Sequence, residues 1–175
     1  MYTLLYHTPE GFDDLQLNSD GSYLTGLWFV GSKDASKHVI GEEEPDLPIF
    51  QETAQWLDQY FAGVEPAFTP RYRLASATPF REEVSALMRM IPYGELVTYR
   101  ELAQSMAKQR GVERMSAQAV GGAVGWNPLC LIIPCHRVVG VGPRLTGYGG
   151  GLHNKYRLLQ LEGHDMSRFK SEDKH

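Results

Sequence analysis

Only two cysteines occur in the 175 residues, Cys130 and Cys135, and the second stands in the run Pro134-Cys135-His136-Arg137. A thiolate is the strongest nucleophile among ordinary side chains, and an unperturbed cysteine titrates near about 8.5. Two potentially cationic neighbours should favour that thiolate, and the fixed φ of Pro134 should restrict how it is presented. Taken alone, one cysteine is more often an inert buried side chain. A core thiol, however, needs no basic neighbours. A Cys/His pair commonly has a third group that orients the imidazole. Beyond Arg137 the only acids are Glu162, Asp165, Glu172 and Asp173, of which Glu162 falls best on a predicted helix. The same trio would also serve a cysteine hydrolase, in which water releases a covalent intermediate and the enzyme turns over. No Cys-x-x-Cys or paired Cys/His spacing offers a tetrahedral zinc set, so no metal and no cofactor are expected.

The elements that must position these residues are legible in the second half of the chain. Leu129 to Ile133 reads as a short buried strand ending at the cysteine. Thr78-Pro79 predicts a helix start, with Phe80, Val84, Leu87, Met88 and Ile91 as its apolar face and Pro92-Tyr93-Gly94 as its end. Thr98-Tyr99-Arg100-Glu101 is a capping box that starts a second helix at Tyr99. Basic residues from Lys108 to Arg114 form the expected turn, and Ser116 caps a third helix, Ala117 to Val124, making a helix-turn-helix. That third helix is nearly bare of large side chains, which suits either a tight internal crossing or close approach to another surface. Gly140 to Gly151 holds six glycines and reads as a loop. It lacks the Gly-Lys-Ser/Thr of a phosphate loop. A last helix runs from about Leu152 to Leu161 and stops at Gly163.

The first half predicts an antiparallel meander (Tyr2 to His7, Asp13 to Leu17, Tyr23 to Val30), an acidic loop from Lys33 to Asp46, and a helix from Pro48 to Phe61. Asp46 is its expected cap. Val64 to Thr78 is rich in proline, alanine and serine and suits a linker. Residues 1–70 carry two lysines against twelve acids, a net charge of −10, and residues 71–175 carry fifteen basic residues against nine acids, a net +6. Only the second half looks ready for a polyanion. No run approaches the roughly 18 to 20 apolar residues of a membrane span, and the N-terminus lacks a signal-like pattern, so a cytoplasmic protein without a membrane partner is expected.

Ile133-Pro134-Cys135-His136-Arg137-Val138, with Ala119-Val120-Gly121-Gly122-Ala123 and Asn127-Pro128 before it and Gly147-Tyr148 after it, resembles the O6-alkylguanine-DNA alkyltransferase family. The likeness covers about Thr78 to His164. The first seventy residues are similar to that family's ribonuclease-H-like domain in length and element order. The resemblance implies an α+β fold: an N-terminal ribonuclease-H-like antiparallel sheet with a helix (1–70), a linker (71–77), a winged-helix-like helix-turn-helix domain (78–166), and a disordered tail (167–175).

It also implies roles. Cys135 would accept an alkyl group irreversibly from O6 of guanine, with O4-alkylthymine as a further candidate substrate. His136 would take the thiol proton through a water, Glu162 would hold the imidazole, Asn127 would brace the site, and Tyr99 would donate to the leaving guanine. Tyr148, Gly149, Gly150 and Val138 would surround the flipped base. Ala117, Gln118, Ala119, Gly121, Gly122, Arg114 and Arg137 would meet double-stranded DNA in the minor groove. The protein would act as a monomer. A recognition module for alkylated DNA without chemistry is the alternative.

Two departures stand out. The family usually carries arginine immediately before Ala-Val-Gly, where this chain has Gln118, predicting weaker DNA binding or slower base flipping. The stretch Lys108 to Arg114 lengthens the turn, and Lys108, Arg110 and Arg114 are expected to compensate by touching phosphates. Some relatives hold zinc in the N-terminal domain through cysteines and histidines. No cysteine precedes Cys130 here, which is expected to be a packed core thiol.

Overall fold

A computed structural model describes residues 1–169. Three strands pair as an antiparallel meander: β1 (Tyr2–Tyr6), β2 (Leu15–Ser19) and β3 (Leu24–Phe29). A fourth, β4 (Glu42–Glu43), joins parallel to β1, so the sheet order is β3-β2-β1-β4 and the sheet is mixed rather than purely antiparallel. The acidic stretch expected to be a loop therefore supplies an edge strand and, before it, a 3-10 turn at Lys33–Lys37. Two exposed glutamates on that edge discourage pairing with another chain.

Helix α1 (Pro48–Phe61) buries Ile49, Phe50, Thr53, Trp56, Leu57 and Tyr60 against the sheet. Its N-cap is Leu47 without any side-chain bond, not Asp46, because Pro48 takes the first helical position and sets the boundary itself. The expected linker is stitched to β3: Leu24 N–H donates to Arg71 O at 2.9 Å, and Arg73 N–H donates to Leu24 O at 3.0 Å.

The second half contains α2 (Pro79–Arg89), β5 (Val97–Thr98), α3 (Tyr99–Arg110), α4 (Ala117–Trp126), β6 (Val138–Val139) and α5 (Leu152–Leu161). Each predicted cap is made. Thr78, Thr98 and Ser116 accept from the amides of Arg81, Glu101 and Ala119 at 3.2, 3.0 and 3.1 Å. Helix α3 runs on through Lys108 and Arg110 to a left-handed Gly111 at φ 65°, so the inter-helix turn is shorter than the basic run suggested. Helices α2, α3 and α4 pack together as the helix-turn-helix, and β5 pairs parallel with β6 beside it. Met166–Arg168 forms a 3-10 turn, and Phe169 packs against a small cluster of Val139, Leu159 and Met166; residues 170–175 of the expected tail lie outside the described residues. One apolar core runs through both halves, joining Phe29, Phe50 and Leu57 to Met88, Met106, Ile132 and Leu158. Among the described residues no helix is long and apolar enough to cross a membrane.

The expected strand before the cysteine is a buried turn instead. Leu129 makes a single parallel bridge to Leu27, with Leu27 N–H donating to Pro128 O at 2.9 Å and Cys130 N–H to Leu27 O at 3.1 Å. The chain then reverses, Ile132 N–H donating to Cys130 O at 2.7 Å across Leu131 at φ 68°. That is a γ-turn of the rarer, strained hand. Leu129 to Ile133 is buried on every side, so its composition carries no period that separates strand from turn.

Candidate active site

Cys135 opens a 3-10 turn, Cys135–Arg137, in which all three side chains are buried. Its amide donates to Ile133 O at 2.8 Å across Pro134, whose φ of −79° and ψ of 66° fit an inverse γ-turn. Proline presets that φ, so the residue type and the geometry agree. Asn127, the C-cap of α4, locks the same place: Nδ2 donates to Ile133 O at 2.8 Å and Oδ1 accepts from Leu129 N–H at 3.0 Å.

Glu162 is the hub beside this turn. Its Oε2 lies 2.5 Å from His136 Nε2 and accepts from the Tyr60 hydroxyl at 2.6 Å. Oε1 accepts from Arg137 Nε at 2.8 Å and from Gly94 N–H at 3.1 Å. Burial opposes the charged carboxyl, but His136 and Arg137 outweigh it and hold Glu162 far below the usual carboxylate range. An ionised carboxylate only accepts, so His136 Nε2 must carry the proton. Burial lowers the His136 pKa against the opposing pull of Glu162, which favours the neutral ring. Nδ1 is then the acceptor nitrogen, and it is buried without a partner among the described residues.

The resting thiol differs from the expectation. Burial raises the Cys135 pKa; Asn127, Lys155 and Lys37 offset part of that, and Asp34 adds to it. His136 is neutral and the Arg137 charge is held by Glu162, so neither adjacent residue supports a resting thiolate. The arrangement suits a thiol that loses its proton to a base during reaction.

Arg137, expected to meet DNA, is 9% exposed, donates to Ile91 O at 2.8 Å and lies over the Tyr93 ring. That buried set of contacts gives it a structural task at Glu162 in place of a phosphate contact. Helix α4 does turn Ala117, Gln118, Ala119, Gly122 and Gly125 outward. Tyr99 sits behind it, where a methyl on Gly121 would meet its ring at 3.8 Å. Arg114 is exposed in a groove between α3 and α4 shared with Arg100. Arg110 is not available beside it, because it pairs with Glu83 at 2.8 Å over the Phe80 ring.

In the glycine loop, Tyr148 has a buried hydroxyl without a hydrogen-bond partner among the described residues. Val138 is fully buried and its carbonyl accepts from Lys155 Nζ at 2.7 Å. A Cβ on Gly149 would collide with the Asp34 carboxylate, and one on Gly150 would collide with Tyr148. These glycines thus admit neighbouring side chains as well as shaping the loop.

Four further residues join the site: Asp34, Lys37, Tyr60 and Lys155. Asp34 N–H donates to Gly149 O at 3.0 Å, and Lys37 donates to Gly125 O at 2.5 Å and Asn127 O at 3.2 Å while pairing with Asp34 at 2.7 Å. Tyr60 reaches Glu162 from α1. Lys155 alone had a readable signal, since it lies on the same helical stripe as Leu158 and Leu159, an apolar face where a lysine is out of place.

Comparison with known proteins gives two adjoining matches. Residues 79–164 match the 6-O-methylguanine DNA methyltransferase DNA binding domain, and residues 1–71 match the ribonuclease-like domain of the same family. A methylated-DNA–protein-cysteine methyltransferase of Haemophilus influenzae is 39% identical over 162 residues, 91% of this chain and 87% of that protein. One of Mycobacterium leprae is 38% identical over 152 residues, 87% of each. The crystal structure of Mycobacterium tuberculosis OGT in complex with DNA superposes with a TM-score of 0.77 at 35% identity, covering 97% of this chain and 95% of that one.

Proposed function

The chain belongs to the 6-O-methylguanine DNA methyltransferase family, and we propose that Cys135 is the sulfur on which it keeps the alkyl group it removes. Its activity is that of a methylated-DNA–protein-cysteine methyltransferase, its reaction is DNA repair by alkyl transfer to a protein cysteine, and DNA is its partner. The observation that supports Cys135 is that His136, in the same turn, is paired through Nε2 with the buried Glu162, which makes Nδ1 its acceptor nitrogen.

The outward face of α4 enters the minor groove, where small side chains let backbone and bases approach closely. The alkylated guanine leaves the stack, at a cost of a few kcal/mol, and reaches the thiol past Tyr148. His136 Nδ1 takes the thiol proton through a water, and Cys135 Sγ attacks the saturated carbon on O6. The carbon–oxygen bond breaks, its electron pair stays with guanine, and Tyr99 supplies the proton that neutralises it. A free guanine and a thioether remain. The sulfur has no route back, so each molecule acts once. In this reading residues 1–70 brace the site, 71–77 connect, and 78–166 carry the acceptor and the DNA surface of a cytoplasmic monomer.

Intact mass after incubation with a duplex containing O6-methylguanine tests this. One methyl gained per chain, mapped to Cys135 and absent from Cys135→Ala, is the expected result. Tight binding of the lesion with no mass gain would leave a recognition module instead.

A further inference from the structure

We propose that Tyr60 is a positioning residue of the transfer site: its hydroxyl shares one oxygen of Glu162 with His136 and so limits how strongly that carboxylate draws on the imidazole. The inference rests on the reading of His136 as the base.

Tyr60 is completely buried and reaches Glu162 across 102 residues of sequence, from the half of the chain that carries no acceptor. Its oxygen is 2.6 Å from Glu162 Oε2, the same atom that lies 2.5 Å from His136 Nε2, while the direct Tyr60–His136 separation is 3.4 Å. Tyr60 thus acts on the imidazole mainly through the carboxylate. The ring is held independently of the hydroxyl, stacked on Trp56 at 5.5 Å and 4° and edge-on to Phe61 and Tyr93. Phenylalanine would fill that space equally well, so packing does not require the oxygen.

A carboxylate offers about four lone-pair sites. Glu162 receives Tyr60, His136, the Gly94 amide and two Arg137 nitrogens. Each donor spreads the charge and leaves less for the imidazolium formed when His136 accepts a proton. Removing the Tyr60 donor returns that share to His136 and raises its basicity. The other groups facing the pair are Arg137 in the cysteine turn, Lys155 on α5, Tyr93 after α2 and His164 after α5. All of them are unchanged in Tyr60→Phe.

The test compares the wild-type chain, Tyr60→Phe, and Trp56→Phe, which disturbs the ring stack but not the hydroxyl. The imidazole of His136 is titrated by NMR, and single-turnover methylation by an O6-methylguanine duplex is followed against pH. In Tyr60→Phe the His136 titration and the acid limb of the rate profile should both move up by about half a unit or more, a roughly three-fold or greater rate loss below the limb. Trp56→Phe should leave both in place. An unmoved His136 titration in Tyr60→Phe, or an equal movement in Trp56→Phe, would overturn the inference. A normal upward shift with no methylation in any variant would overturn Cys135 as acceptor and leave the hold of Tyr60 on the pair standing.

Discussion

The side-chain amide of Asn127 and the main-chain amide of Cys135 both donate to the carbonyl oxygen of Ile133, each at 2.8 Å. The C-terminal end of α4 and the turn that presents the thiol therefore close on one atom. Asn127→Ala removes that brace and also strands the buried Leu129 amide. Each buried group left without a partner costs about 1–3 kcal/mol. A loss of about 1–3 kcal/mol in urea denaturation is expected for the one stranded amide, with methylation slowed by more than the stability loss explains.

Glu162→Ala should be worse. It leaves the Arg137 guanidinium without its carboxylate in a buried site, and breaking such a pair typically costs about 3–5 kcal/mol. Circular dichroism melts should show it directly. A melting point within a few degrees of wild type would contradict the hub role of this carboxylate.

Gly149 and Asp34 are coupled by space. A Cβ at Gly149 has no room beside the Asp34 carboxylate. Gly149→Ala should therefore destabilise by about 1–3 kcal/mol, as overpacking does. In the Asp34→Ala background the same change should cost measurably less, so a double-mutant cycle should return a clear coupling. Strict additivity would show that the loop adapts elsewhere.

The groove between α3 and α4 predicts which cations meet phosphate. If both arginines of this groove meet phosphate, Arg100→Ala and Arg114→Ala should each lower the salt slope of DNA binding by about one. Arg110→Ala should leave the slope unchanged, its charge being paired with Glu83. Gln118→Arg, on the exposed face of α4, should tighten binding or speed transfer. If it does neither, the glutamine is no handicap.

Acid should destabilise the fold, and the sign follows from two histidines. Burial lowers His136 below its ordinary value, and burial with help from Lys37 pushes His38, stacked on Trp28, down to about 4. An unfolded histidine titrates near about 6.5. Below that pH the unfolded chain binds the extra protons, so stability is complete above it and falls as pH drops toward 4. The depressed Glu162 adds a further loss at still lower pH. Denaturation midpoints at successive pH values should decline over this window, and His38→Gln should flatten the decline.

Much of this was written in local sequence. Thr78-Pro79, Thr98 to Glu101 and Ser116 are chemical instructions for helix starts, satisfied within three residues, so they work wherever the helix lies. The Pro-Cys-His-Arg run and Glu162 could be named for the same reason: their residue types carry the chemistry. What local order does not encode is where a satisfied group spends its bonds. Arg137 reads as a surface cation but is buried on Glu162, and Leu129 to Ile133 reads as a strand but folds as a γ-turn against β3. Tyr60 and Lys37 look like any core aromatic and any surface lysine, yet they tie the first half of the chain to the site in the second. Those pairings, with the resting state of the thiol, depend on burial and on partners about 90 to 100 residues away in sequence, and only the packed tertiary structure brings them within bonding distance.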